Sequence, residues 1–134
     1  MAIEDKEIIL LKVSGQDKPG VTAGLTSILA NYDAVILDIG QADIHDTLSL
    51  GILFQIKAGS SSGPVLKDLL FKGYELGIKV KFIPISIPDY ENWVKAQIKQ
   101  RYIINILGEE LTAVQLAAVT KIMSDQHLNI DSII

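Results

Sequence analysis

A hairpin flanked by two helices is the pattern in this sequence that most constrains the fold. Two extended apolar stretches, residues 35–44 and 48–56, are separated only by the polar residues His45-Asp46-Thr47, a break of hairpin length. Apolar residues recur at helical spacing on both sides, at Leu25, Ile28, Leu29 and Tyr32 before the hairpin and at Val65, Leu66, Leu69, Leu70 and Tyr74 after it. We therefore predict one amphipathic helix on each side of the hairpin, the second ended by Gly77.

Two further apolar stretches complete this pattern. Residues 8–14 are mostly Ile, Leu and Val, which is typical of a buried strand, and residues 80–85 form a closing strand. The predicted order is βαββαβ, the ferredoxin-like arrangement of the α+β class, in which two helices cover one face of a four-stranded antiparallel sheet. We assign this first domain to residues 1–86.

A short polar segment follows the first domain. Pro84 and Pro88 interrupt the apolar pattern, and Asp89 precedes residues that can line one side of a short helix. Residues 87–100 are therefore predicted to be a linker that contains a short helix capped by Asp89.

The rest of the chain repeats the pattern of the first half of the first domain. Residues 101–107 have the composition of a strand, a helical stripe follows, and residues 129–134 begin another strand. Ile130 lies 94 positions after Ile36, and the same offset aligns the two helical stripes. Residues 101–134 are thus predicted to be a truncated second repeat, βαβ, whose strands need partners from further sequence or from another chain.

Charge and composition exclude several classes of partner. The chain has a net charge of -4, and it lacks the clustered Lys and Arg that bind nucleic acid or an anionic membrane. It contains no cysteine, which removes disulfides and thiolate metal sites, and no apolar run approaches the roughly 20 residues that span a bilayer. The first residues lack the pattern of a signal peptide, so we expect a cytoplasmic location.

The sequence Asp17-Lys18-Pro19-Gly20 joins the first strand to the first helix and is the candidate binding site. Pro19 is expected to preset the first helical turn, and Gly20 leaves the backbone open to a ligand. The N–H groups at the helix start, beginning with Val21, can bind a carboxylate while Asp17 binds an ammonium, so a free amino acid fits this turn. Two alternatives stay open: Asp17 can serve only as a helix cap, and Lys18 either stays solvated or assists the carboxylate.

Five segments carry a resemblance to a known family. They are Val13-Ser14-Gly15-Gln16-Asp17-Lys18-Pro19-Gly20, Ile36-Leu37-Asp38-Ile39-Gly40-Gln41, Ile44-His45-Asp46-Thr47-Leu48-Ser49-Leu50-Gly51, Leu111-Thr112-Ala113 and Leu128-Asn129-Ile130-Asp131. Their order and spacing resemble the ACT domain, a small regulatory module that binds amino acids, usually as side-by-side pairs. In detail they resemble the tandem ACT region that precedes the catalytic domain of long bacterial phosphoserine phosphatases.

The resemblance implies a regulatory piece of a larger enzyme. The catalytic domain of that family is a Mg²⁺-dependent phosphatase with an Asp-x-Asp-x-[Thr/Val] motif, which this sequence lacks. We therefore expect no catalytic residue, cofactor or metal in this chain. The implied partners are a small amino acid, serine first, the downstream catalytic domain of the parent protein, and further copies of the chain joined through sheet edges.

The resemblance also divides the binding residues between the two repeats. In ACT pairs the turn of one unit faces the second strand of its neighbour, where an Asn often completes the amino-acid site. The first repeat has Val35 at that position and the second has Asn129, whereas the second repeat replaces the turn by a segment that ends at Val114, with a capping-box pattern at Thr112 and Gln115. We expect one competent site, built from the turn and Asn129, and one degenerate site, built from Val114 and Val35.

Two alternative functions remain open. His45 and Asp46 could act as a base or as metal ligands, but adjacent residues of an extended segment point to opposite faces and no third ligand is suitably spaced, so a polar turn is favoured. The other alternative is a stand-alone tandem ACT regulator, resembling the glycine-cleavage repressor, which acts on a protein partner. An Asp-x-Asp-x-Thr segment further along the parent gene would favour the phosphatase.

Overall fold

This computed structural model describes residues 6–57, 61–96 and 102–130, which contain four strands and four helices. The elements are β1 (Glu7–Gln16), α1 (Val21–Asn31), β2 (Val35–Ile44), β3 (Thr47–Ile56), α2 (Gly63–Leu76), β4 (Lys79–Ile85), α3 (Ile87–Ala96) and α4 (Ala113–Asp125). The first six follow the predicted βαββαβ order, which confirms the ferredoxin-like α+β fold. The chain divides into two compact units, Met1–Lys99 and Gln100–Ile134.

The sheet of the first unit has the order β2-β3-β1-β4, and every neighbouring pair is antiparallel. Strands β1 and β3 occupy the centre and pair along their full length, from Glu7 opposite Ile56 to Gln16 opposite Thr47. This arrangement places the end of β1 beside the loop that joins β2 to β3. The β1–α1 turn therefore starts next to that hairpin loop.

The core lies between the sheet and the two helices α1 and α2. Every second residue of β3 is buried, which is the period expected for a strand with one covered face. The buried cluster takes Ile9, Leu11 and Val13 from β1, Val21, Leu25 and Leu29 from α1, Leu48, Leu50, Ile52, Phe54 and Ile56 from β3, and Val65 and Leu69 from α2. Both helices thus pack on one face of the sheet, as predicted.

Helix α2 packs Val65, Leu66 and Leu69 against the core as predicted, but the other two residues of the predicted stripe are exposed. The sequence pattern placed Leu70 and Tyr74 on the core stripe, but they are 55% and 86% exposed. The buried residues are Val65, Leu69 and Gly73, spaced four apart. The prediction was wrong for these two residues because the small Gly73, rather than a large apolar side chain, lies where α2 approaches β4.

Strand β2 forms one edge of the sheet and is exposed along nearly its whole length. Its apolar side chains remain accessible, at 41% or more for Val35, Ile36, Ile39 and Ile44. The ladder to β3 contains an irregularity, because Ile36 lies opposite Phe54 and Asp38 lies opposite Leu53, which leaves Leu37 between them without a partner. This is the geometry of a β-bulge.

The hairpin loop between β2 and β3 consists of His45 and Asp46, one residue shorter than the predicted break, since β3 begins at Thr47. Both residues have positive φ, 48° for His45 and 62° for Asp46. Two-residue hairpin loops with positive φ at both positions favour glycine, which has no Cβ, while Asn, Asp and His adopt positive φ more readily than other residues. His45 and Asp46 therefore suit this loop better than most side chains, but they retain the strain that glycine avoids.

Replacing Asp46 by glycine is expected to raise the free energy of unfolding by about 0.5 to 1 kcal/mol, since glycine adopts positive φ without strain. The same change at Asp43, inside strand β2, is expected to lower it by a similar amount because glycine weakens a strand interior. Urea unfolding of the two variants measures both values. A lower stability for Asp46→Gly would contradict the strain that we assign to this loop.

Helix α3 begins at Ile87, so the predicted cap at Asp89 is wrong. Asp89 lies in the first turn, and its N–H donates to the Ser86 hydroxyl at 3.2 Å. A serine hydroxyl before the helix thus provides the capping acceptor that we had assigned to the aspartate. The linker does contain a short helix, and the rings of Tyr90 and Trp93 pack together on it at a centroid distance of 5.9 Å.

In the second unit, the predicted capping box at the start of α4 is confirmed. The Gln115 N–H donates to the Thr112 hydroxyl at 3.2 Å, and the Thr112 N–H donates to the Gln115 side-chain carbonyl at 3.2 Å. Residues 102–107 and 128–130, however, form no strand, so that part of the predicted βαβ pattern is wrong. Residues 101 and 131–134 of the two predicted strands lie outside the described residues.

The second unit leaves its apolar side chains accessible. Ile103 is 89% exposed and Leu107 is 95% exposed, and none of the described residues of this unit is buried. A strand needs a neighbour to pair with, and residues 102–107 have none among the described residues. The composition of a strand is therefore not sufficient here, because these residues pair with no other described segment. Among the described residues, no helix is long and apolar enough to cross a membrane.

Candidate functional site

The candidate site lies at the turn between β1 and α1. Helix α1 begins at Val21, and its N-cap is Gly20 with φ of 89°, a left-handed conformation that favours glycine. No side chain caps this helix, so the alternative that Asp17 serves as its cap is wrong. Pro19 lies before the N-cap, outside the helix, so its expected place in the first helical turn is also wrong.

The start of α1 presents N–H groups that the helix itself does not use. The first helical bond at this end runs from the Gly24 N–H to the Gly20 carbonyl, at 2.8 Å. Residues 21–23 precede that bond, so their N–H groups have no acceptor within the helix. Val21 as a whole residue is only 2% exposed and belongs to the core, whereas Gly20 and Ala23 on either side of it are exposed. These features together favour an anion such as a carboxylate.

Asp17 is held beside this helix start by its backbone. The Asp17 N–H donates to the Asp46 carbonyl at 2.8 Å, which connects the turn to the hairpin loop. Its side chain is exposed, and among the described residues it forms no ion pair. The Asp17 carboxylate is thus accessible to a cationic group of a ligand.

Lys18 is exposed, in agreement with the prediction that it is solvated, and it also has a hydrogen-bond partner in the protein. Its Nζ donates to the carbonyl of Leu76, the last residue of α2, at 3.2 Å. Its ammonium lies where the negative end of the α2 dipole favours a cation.

Two further residues of this site were missed by the sequence analysis. The Thr22 hydroxyl donates to the side-chain carbonyl of Gln41 at 2.7 Å and so joins the first turn of α1 to strand β2. Gln41 lies opposite Leu50, on the side of β2 that faces the helices. The sequence signal that could have found Gln41 is a polar residue within an apolar stretch, at a position that faces the helices. The amide nitrogen of Gln41 carries two more N–H donors beside the helix start.

The turn is an open surface and not an enclosed pocket. A cavity of about 370 Å³ lies near the start of β1 and the end of β4, and Asp17, Gly20 and Val21 do not line it. A ligand at the turn would keep one side in solvent unless a second surface covered it. The site is therefore suited to completion by another unit.

Asn129 lies in the second unit, three residues after the C-cap of α4, and is exposed. His45 and Asp46 form the hairpin loop, where the polar-turn interpretation places them. The described residues contain no group of three or more His, Cys, Asp or Glu side chains that could hold a metal ion.

Comparisons with known proteins agree with this architecture. The family model of the ACT domain matches residues 7–83. The chain is 27% identical over 128 residues to phosphoserine phosphatase SerB2 of Mycobacterium tuberculosis, a match that covers 96% of this chain and 30% of that protein. A UPF0237 protein of Methanopyrus kandleri is 36% identical over 72 residues, which are 53% of this chain and 80% of that protein.

One solved structure resembles nearly the whole chain. It is described as a glycine cleavage system transcriptional repressor, and it matches with a TM-score of 0.61 over 95% of this chain and 70% of its own. The sequence identity is 13%, so this likeness shows the fold alone. The chain spans less than a third of the length of the phosphatase that it matches.

Proposed function

The chain belongs to the ACT domain family, and on that premise we propose that it is the amino-acid-sensing regulatory module of a phosphoserine phosphatase, with L-serine as its ligand. The observation that carries the proposal is the open helix start of α1 with the Asp17 carboxylate beside it. Unused N–H groups and a free carboxylate match the carboxylate and the ammonium that every amino acid carries on one carbon. The similarity to phosphoserine phosphatases over 96% of the chain supports serine as the product that is sensed.

The proposed contacts are specific. The N–H groups that follow Gly20, beginning with that of Val21, bind the ligand carboxylate, and Asp17 binds its ammonium. We propose Asn129, from the second repeat, as the residue that completes the site. The opposite pairing, of Val35 with Val114, offers no polar side chain and forms the degenerate site.

Self-association is part of the proposal. Strand β2 is an edge with accessible backbone and exposed apolar side chains, which is a surface that another strand can extend. Pairs of ACT units joined at this edge would give a ligand two surfaces to bridge. An amino acid held there favours one arrangement of the pair, and it shifts the parent protein only as far as its affinities for the two arrangements differ.

The catalytic step belongs to a domain outside this chain. We propose that the parent protein is a Mg²⁺-dependent phosphatase whose nucleophile and metal ligands lie in that domain. This chain contributes no catalytic residue and no metal ligand, and it acts on the reaction only through the amino acid that it binds.

Titration of L-serine into the full chain by calorimetry, together with a thermal-shift screen of the twenty amino acids, tests the proposal. We expect Asp17→Asn to weaken binding at least about tenfold, because it removes a charge-assisted hydrogen bond to the ammonium. Asn129→Ala is expected to weaken binding as well. Asp33→Asn makes the same chemical change just beyond the other end of α1 and should leave the affinity unchanged.

The screen also gives the result that would reject the proposal. A ligand at 100 times its dissociation constant stabilises the folded state by about 2.7 kcal/mol, which a thermal shift detects easily. Absence of a shift with all twenty amino acids, or equal affinity for Asp17→Asn and the unchanged chain, contradicts amino-acid sensing at this turn.

The second candidate is a stand-alone tandem ACT regulator. The match of fold to the repressor structure over 95% of the chain favours it. Under this proposal the amino acid site is the same, but the output is contact with a protein partner. The presence of an Asp-x-Asp-x-Thr segment, and of phosphoserine hydrolysis, in the full gene product separates the two candidates.

A further inference from the structure

The carboxyl end of α2 lies against the segment that forms the candidate site. Lys18 provides the polar contact, since its Nζ donates to the Leu76 carbonyl at 3.2 Å. The last carbonyls of a helix have no donor within the helix and carry the negative end of its dipole, so an ammonium is favourable there. The turn thus supplies the cation that completes the end of α2.

Two glycines lie where the segments that flank the turn approach the end of α2 and the residues after it. A Cβ added at Gly15, at the end of β1, would lie 3.1 Å from the Ile78 Cγ2, closer than most such contacts. A Cβ added at Gly24, in α1, would lie 3.8 Å from the Leu76 Cδ1. Leu76, the last residue of α2, therefore lies close to α1, and Ile78, two residues further on, lies close to the end of β1.

The end of α2 is itself shaped to receive Lys18. Gly77 has φ of 68°, and its N–H donates to the Tyr74 carbonyl while the Ile78 N–H donates to the Gly73 carbonyl. A Cβ on Gly77 would lie 3.4 Å from the Lys18 Nζ. The glycine that ends the helix also leaves space for the lysine.

We propose that Lys18 is a positioning residue that ties the β1–α1 turn to the carboxyl end of α2, so that the two change conformation together. We call this contact between Lys18 and Leu76 the tether. It rests on the proposed function in one respect only: if the turn is the amino-acid site, the tether regulates that site. An ammonium has three N–H donors, so Lys18 can hold the Leu76 carbonyl and a ligand carboxylate at the same time. Binding of a ligand at the turn then changes the conformation of the carboxyl end of α2.

Hydrogen exchange of the full chain, followed by NMR without any ligand, tests the tether. The amides of Asp17 and Gly24 report on the turn, and those of Gly77 and Ile78 report on the end of α2, because each donates one of the backbone bonds described above. In Lys18→Met we expect exchange at both pairs to become about threefold to tenfold faster, as a hydrogen bond to a charged group is lost.

Two further variants serve as controls. Lys18→Arg keeps a cation within reach of the carbonyl and should exchange like the unchanged chain. Lys67→Met removes an exposed lysine from the same helix, away from the turn, and should leave Asp17 and Gly24 unaffected.

Three outcomes would overturn the proposal. Faster exchange at Gly77 and Ile78 alone would make Lys18 a helix cap and nothing more. Equal acceleration at the buried amide of Leu25 would indicate a general loss of stability. Unchanged exchange at all four amides would show that the contact does not constrain the turn.

A second measurement keeps this proposal separate from the amino-acid site. We expect Lys18→Met to bind L-serine more weakly than Lys18→Arg does, in the same calorimetric titration. If no amino acid binds to any variant while the exchange result holds, the tether stands and the sensing function fails. If serine binds but exchange is unchanged, the sensing function stands and the tether fails.

Discussion

Replacing Phe54 by alanine is expected to lower the free energy of unfolding of the first unit by about 3–5 kcal/mol. Phe54 lies on the central strand β3, is 0% exposed and heads the set of largest fully buried side chains. Truncation removes its transfer free energy and leaves a cavity between the sheet and the helices, which the close-packed core can fill only in part. Since small domains are stable by about 5–15 kcal/mol, the loss is a large fraction of the total.

Phe71 provides the matched control, because it carries the same side chain but is 64% exposed on α2. Phe71→Ala should change the free energy of unfolding by no more than about 0.5 kcal/mol. Chemical denaturation of both variants, monitored by circular dichroism, measures the difference. A similar loss in the two variants would contradict the placement of the core between β3 and the helices.

Replacing Gly73 by alanine is expected to destabilise the first unit by about 2–3 kcal/mol, as overpacking of a core does. Gly73 is buried where α2 crosses β4, and a Cβ there would collide with the Val80 side chain. The direction of the change in stability is informative, because replacing glycine by alanine inside a helix ordinarily stabilises the helix by about 1 kcal/mol. Here the packing penalty outweighs the gain in helix propensity.

Gly24→Ala is the control for helix propensity. Its added Cβ would meet the flexible Lys72 side chain at 3.5 Å, an ordinary contact, so this variant should be neutral or slightly more stable. The double variant Gly73→Ala with Val80→Ala should recover part of the loss, because the collision is removed, and the recovery appears as a coupling energy in a double-mutant cycle. Additive losses would show that Val80 is not the obstacle.

Much of the fold could be predicted because the decisive signals are local. The polar break at residues 45–47, the helix stop at Gly77 and the capping box at Thr112 each depend on a few adjacent residues, and each has the predicted role. The hairpin between two helices then leaves few topologies to consider. Local chemistry and strand order together were sufficient for the first unit.

The features that could not be predicted depend on which helix and strand surfaces pack against each other. Helical spacing alone cannot distinguish Tyr74, which is exposed, from Leu69, which is buried, since that depends on how closely α2 approaches β4. In the same way, the contacts of Lys18 with Leu76 and of Thr22 with Gln41 join residues that are far apart in sequence. The site is therefore less predictable than the sheet that supports it.

The bulge at Leu37 restricts how another strand can add to the edge of β2. A uniform edge accepts a partner in several registers, each displaced by two residues, whereas a bulge interrupts the alternation of hydrogen-bonding groups and bends the strand. A partner can therefore follow the regular stretch, residues 38–44, but loses its alignment beyond it. Two copies that join at this edge would therefore be restricted to the alignments that pair within residues 38–44 and do not cross Leu37.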